Sequence, residues 1–240
     1  MGYLLGMRSG PSGGRIRLAW ERVRGSLLPT AAIGIWFLGV AIGVGALQRY
    51  KSSPAPEQVP PSVWPTASQL PRVADKPTLV LVAHPRCPCT RATLHELSVL
   101  MARAGARVTA DVLFVRPTGV ATDWEKTDLW RSAEAIPGVN VRSDEGGHEA
   151  ALFHAVASGQ IVLFNTAGRE IFAGGITGSR GHEGDNPGLT RILTLLSNGN
   201  AESAKAPVFG CALSESRDLD KKGALARLID DGSSRSEGRP

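Results

Sequence analysis

Cys87 and Cys89 stand one residue apart, and the only other thiol of the chain is Cys211, far downstream. The two close cysteines lie in the run His84-Pro85-Arg86-Cys87-Pro88-Cys89-Thr90, between an apolar stretch and a helical period, so they fall at a strand-to-helix turn. At such a turn the unpaired backbone N–H groups and the helix dipole favour a thiolate over a thiol, which makes cysteine a nucleophile near neutral pH. Two thiols there would store and release a disulfide. With one residue between them the ring is small and strained, hence easier to reduce than a structural bond. Pro88 limits the backbone, and Arg86 and His84 would add positive charge. An exposed turn is a poor place for two inert core cysteines, so the pair is read as functional.

Cys211, in Val208-Phe209-Gly210-Cys211, follows the last predicted helix and leaves three readings open. It resolves a mixed disulfide with Cys87 or Cys89, ligates a metal with them, or is a lone buried thiol. Residues 174–188 are rich in glycine and carry Arg180, His182, Glu183 and Asp185, the composition of a loop folded over a site. A metal reading would join Cys87 and Cys89 to the imidazole of His84 or His182, a soft donor set suited to Cu(I) or Zn(II). Peroxidase chemistry ranks last, because Thr90 and Arg91 lie on the wrong side of the cysteines. His95, His148 and His154 receive no role.

The elements that position these residues follow from pattern. Thr78 to Ala83 (TLVLVA) is a continuously apolar, buried strand. Thr90 to Ala104 sets Leu94, Leu97, Met101 and Ala104 on one helical face and stops at Gly105. Val108 to Val115 is a second strand; Thr122-Asp-Trp-Glu125 reads as a capping box opening a helix to about Ala135. A short strand over Val139 to Arg142 and a helix over Gly147 to Ala157 come next. Strands Ile161 to Asn165 and Glu170 to Ile176 flank a hairpin turn, and Leu189 to Leu196 is the closing helix. The order β-α-β-α-β-α-β-β-α predicts a mixed sheet, parallel at the front with an antiparallel hairpin at the other edge. That is the layout of an α/β, thioredoxin-like fold.

The runs HPRCPCTRATLHEL, GGITGSRGHEGDN and VFGCAL together resemble the RedB family of membrane-anchored thioredoxin-like proteins, over about Pro77 to Leu213. The resemblance implies redox chemistry at Cys87 and Cys89 with partner protein thiols or disulfides, and no cofactor or resident metal. Two departures from the wider superfamily stand out. Its Cys-x-x-Cys spacing would put Cys89 at the second cysteine and Arg86 at the nucleophile's place; and Ala157-Ser158-Gly159-Gln160 stands where a cis-proline normally faces the thiols. Copper chaperones of respiratory oxidase assembly share the fold and supply the rival reading, but they space their cysteines three apart.

The rest of the chain sets the compartment. Residues 1–28 hold Arg8, Arg15, Arg17, Arg22 and Arg24 against Glu21, four of the chain's net five positive charges. The folded part is therefore nearly neutral, which argues against nucleic-acid binding. Leu27 to Leu47 has no charged residue and at about 1.5 Å per residue reaches roughly 30 Å, the thickness of a bilayer core. The arginines before it outweigh Arg49 and Lys51 after it, so the N-terminus faces the cytoplasm and the rest lies outside. A retained anchor is preferred over a cleaved signal, given the long basic region. Gly39 and Gly43 offer a seat for a second copy, hence a homodimer through the helix. The expected division is a basic tail over 1–26, an anchor over 27–49, a Pro-rich linker over 50–76 acting as a stalk, the thioredoxin-like domain over 77–214 and a polar tail over 215–240. The composite expectation is a single-pass inner-membrane, extracytoplasmic thiol-disulfide oxidoreductase.

Overall fold

The computed structural model describes residues 13–198 and 204–213, with side chains from residue 29 onward. The polar tail over 215–240 and the first twelve residues lie outside the described residues. The chain divides into two compact units, Met1–Tyr50 and Lys51–Pro240. Helix α1 runs Gly13–Ser52, and its stretch Pro29–Ser52, of mean hydropathy 2.0, is long and apolar enough to cross a membrane.

The second unit is built on a six-stranded sheet in the order β3-β2-β1-β4-β5-β6. The strands are β1 (Thr78–Ala83), β2 (Thr109–Arg116), β3 (Val139–Glu145), β4 (Gln160–Phe164), β5 (Glu170–Gly174) and β6 (Ala204–Lys205); the helices are α2 (Pro88–Ala104), α3 (Asp128–Glu134), α4 (His148–Leu152) and α5 (Pro187–Asn198). β1 lies parallel to β2 and antiparallel to β4, and β4 is antiparallel to β5. This is the thioredoxin-like mixed sheet that the element order predicts. β1 is buried along its whole length, because both of its faces are covered. On one face Leu79, Leu81, Phe114 and Ile161 pack against Leu97 of α2, Trp130 of α3 and Ile192 of α5.

The other face departs from the sequence reading. The helix expected over 147–157 ends after five residues, and His154 turns the chain in the left-handed region (φ 52). Val80, Val82, Val162 and Phe164 are thereby left with Ala150, Phe153 and Ala155 from that side. Residues of the expected stalk complete the cover. Trp64 stacks edge-on against Phe153 and Phe164, and Leu70 is buried beside them. The Trp64 N–H donates to Gly168 O (2.8 Å), the Glu170 N–H to Ser62 O (3.0 Å), and Ser68 Oγ to Glu149 Oε2 (2.7 Å). The Pro-rich segment is a strap laid on the domain, not a free spacer, because a one-turn α4 cannot bury that face alone. Replacing half-buried Trp64 by alanine should cost about 2 kcal/mol. The check is the urea midpoint, which a free stalk would leave unmoved.

Two smaller differences also have tertiary causes. Thr122–Glu125 is not a cap: α3 starts at Asp128 with Thr127 before it, and Glu125 turns inward to lie 3.7 Å from the Arg116 guanidinium. β6, which no pattern announced, pairs parallel to β5 and carries the chain back toward the end of β1.

Candidate thiol site

β1 ends at Ala83, and Cys87 caps α2 with extended backbone (φ −86, ψ 121), followed by Pro88 in the first helical turn. Proline fits there because its missing N–H would have had no helical partner. The Cys87 N–H donates to His84 O (3.2 Å) and the Thr90 N–H to Cys87 O (3.0 Å). Ser158, from the segment that stands at the cis-proline position, receives the His84 N–H on its hydroxyl (2.9 Å) and shares a 2.8 Å hydrogen bond with Thr90 Oγ1. The turn is thus tied to residues 157–160 by side chains that the cysteines themselves leave free.

Ser158 also fixes the third cysteine. Its N–H donates to Cys211 O (2.9 Å), Ala157 bridges to Ala212, and the Leu213 N–H donates to Val156 O (2.8 Å). Gly210 lies so close to this strand that a Cβ on it would fall 1.7 Å from Ser158 O. Only glycine permits that approach. The result is that Cys211 Sγ lies 2.8 Å from Cys87 Sγ, and the sulfurs of Cys87, Cys89 and Cys211 all lie within 4.8 Å of one another. All three cysteines are free thiols in the structure.

The electrostatics single out Cys87. Its thiol is held down to about 4, first by the Cys89 S–H donating to its sulfur, with the Cys211 S–H and the backbone N–H groups of Cys211 and Cys89 adding to this against burial. Cys89 is pushed far up, by its hydrogen bond to Cys87 and then by burial. Cys211 is raised to about 11, by burial and then by the same thiolate, while Arg180 opposes both shifts. One thiolate is therefore shared by two S–H donors.

The positive charge expected from His84 and Arg86 goes elsewhere. Burial lowers the pKa of His84 and favours the neutral ring, whose Nδ1 accepts the Arg86 N–H (3.2 Å) and whose edge meets Trp124. The Arg86 guanidinium lies 4.4 Å over the Trp124 ring. His182 is exposed on its glycine-rich loop, beside Gly178, and among the described residues no histidine joins the sulfur cluster. The cation that does serve the thiols is Arg180 of the same loop, which donates to Gly210 O. The motif assigns no role to Ser158, Gly210, Trp124 or Arg180. Their signal lay only in the loop compositions around them.

No protein-family model matches the chain, and no curated protein matches it. Among solved structures it is similar to an uncharacterized conserved protein from Geobacillus kaustophilus, at 18% identity and TM-score 0.48, over 68% of this chain and 90% of that one. It is also similar to a secreted Mycobacterium tuberculosis disulfide oxidoreductase homologous to E. coli DsbE, at 15% identity and TM-score 0.37, over 51% and 81%. A third likeness is to Arabidopsis thaliana ScoI with copper bound, at 12% identity and TM-score 0.35, over 52% and 81%. Such likenesses concern the fold, and the chemistry of this site follows from its own residues.

Proposed function

We propose that the protein is a membrane-anchored, RedB-like thiol-disulfide oxidoreductase whose chemistry runs at the Cys87-Pro88-Cys89 turn. The observation that carries the reading is the Cys87 thiolate, held at about 4 where a helix begins and within 4.8 Å of two further thiols. In exchange with a partner protein it is the sulfur that attacks in one direction and leaves in the other. A mixed disulfide forms, a neighbouring thiol releases it, and no cofactor is needed. The basic tail over 1–26 and the apolar span over 27–49 support an inner-membrane anchor with the cysteines on the extracytoplasmic side, where disulfides persist. The proposed layout continues with the strap over 50–76, the domain over 77–214 and the polar tail over 215–240. Gly39 and Gly43 supply a surface on which a second copy would pack.

The convergence of three sulfurs favours a second reading, copper handling. Cys87, Cys89 and Cys211 form a soft donor set that fits Cu(I), and Cys211 supplies the third ligand instead of His84 or His182. One assay separates the two. The full chain in detergent should accelerate insulin disulfide reduction above dithiothreitol alone, and Cys87→Ser should fall to that background. A wild type that fails to accelerate it, while binding one Cu(I) per chain, replaces the oxidoreductase with the metal reading.

A further inference from the structure

We propose that the disulfide this protein makes and breaks joins Cys87 to Cys211, with the Cys211 sulfur the one that meets the partner protein. The proposal rests on the oxidoreductase reading and names its second thiol and its point of exchange. Neither follows from the Cys-Pro-Cys motif.

Distance is the first support. A disulfide bond is about 2.0 Å long, so the 2.8 Å between Cys87 Sγ and Cys211 Sγ leaves less than about 1 Å of movement for closure. The approach is held from both sides. Cys87 is fixed as the cap of α2, and Cys211 is fixed by the Ser158 N–H, by the Ala157–Ala212 bridge and by the close seat of Gly210 on Ser158. The rival bond is worse placed. Cys89 already lies inside the first turn of α2, where its carbonyl accepts the Thr93 hydroxyl, and Pro88 fixes the link between the two cysteines. Closing that three-residue ring would strain the start of the helix.

Burial is the second, independent support. Cys87 is 2% exposed and Cys89 9%, whereas Cys211 is only half-buried. A partner protein therefore reaches Cys211 first. In the oxidising direction a partner thiolate attacks Cys211 Sγ; the new bond joins partner to Cys211, and the Cys87–Cys211 bond breaks with its electron pair on Cys87. A second partner thiol, giving up its proton, attacks the partner sulfur of the mixed disulfide and releases Cys211, which takes a proton. The partner dithiol has lost two electrons, and the protein holds them as its own dithiol. A disulfide of higher potential resets it by the reverse steps, with Cys87 closing the mixed disulfide on Cys211.

The test uses the full chain in detergent, oxidised with glutathione disulfide, quenched in acid, alkylated and cut with trypsin. Cleavage after Arg86, Arg91, Lys205 and Arg217 isolates residues 87–91 and 206–217. The expected product is the two peptides joined, and the join should persist in Cys89→Ser. In Cys87→Ser, glutathione should accumulate on Cys211. A closed 87–91 peptide with Cys211 alkylated, or loss of the joined peptides in Cys89→Ser, overturns the proposal while leaving the oxidoreductase intact. A wild type that forms no disulfide and reduces no insulin overturns both.

Discussion

Titrated by its ultraviolet thiolate absorbance, the reduced protein is expected to gain one thiolate per chain with a midpoint near pH 4, from Cys87. The next should appear only near pH 11, from Cys211. Against the ordinary thiol value of 9.0, the first step is a change of roughly 10⁵-fold in the acid constant. The cause is local and can be removed in parts. Cys89 supplies the larger hydrogen bond and Cys211 the smaller, so Cys89→Ala should raise the midpoint more than Cys211→Ala. The same shift has a sign in stability. Because the folded pKa lies below the unfolded one, the folded state binds fewer protons between about pH 4 and 9, and stability rises with pH through that window. The contribution is complete above 9 and gone below about 4. Above 9 the raised Cys211 acts in reverse, since the unfolded chain ionises first, and stability falls toward 11. The melting temperature of the wild type relative to Cys87→Ser should therefore grow from pH 4 to 9. A single absorbance wave centred near 9 would show three ordinary thiols and remove the nucleophile from the proposed function.

What the sequence made legible is what local pattern controls. TLVLVA is β1 to the residue, since a strand covered on both faces is apolar throughout. The Cys-Pro-Cys turn is where the pattern changes from strand to helix, and Pro88 marks the first helical turn. The misses share another cause, which is that they depend on what lies across the molecule. A helix over 147–157 and a detached stalk are separate expectations. They fail together, because the shortness of α4 exposes the face that Trp64 and Leu70 cover. Thr122 to Glu125 has the spacing of a capping box, but a buried Arg116 claims the glutamate. For Cys211 the sequence offers its joining Cys87 and Cys89 as one of three readings, and only the fold selects it. Its partner is 124 residues away, and nothing in VFGCAL shows that Gly210 will lie against Ser158. Likewise the charge that serves the thiols comes from Arg180, while the nearer Arg86 stacks on Trp124.

In redox equilibrium with glutathione, the protein disulfide should be reduced far more readily than one between ordinary thiols. At pH 7 the Cys87 thiolate outnumbers its thiol by up to about 10³, because its pKa lies near 4, and every such ion is a reduced molecule that need not give up its charge to exist. The exchange constant should shift toward reduction by up to that factor. An easily reduced disulfide is an oxidising one, so the direction this site favours is delivery of a disulfide to a partner dithiol. Proton counting supplies a check that needs no reference protein. Between about pH 4 and 9 reduction yields one thiolate and one thiol, because Cys211 stays protonated up to about 11. One proton for two electrons gives a potential that falls by about 30 mV per pH unit, whereas two protons give about 59 mV. The measured slope from pH 5 to 8 should therefore be near the smaller value, steepening only below pH 4 as Cys87 takes its proton. A slope near the larger value across that range would mean that both thiols of the pair are protonated when reduced, and the preference for giving a disulfide away would go with the thiolate.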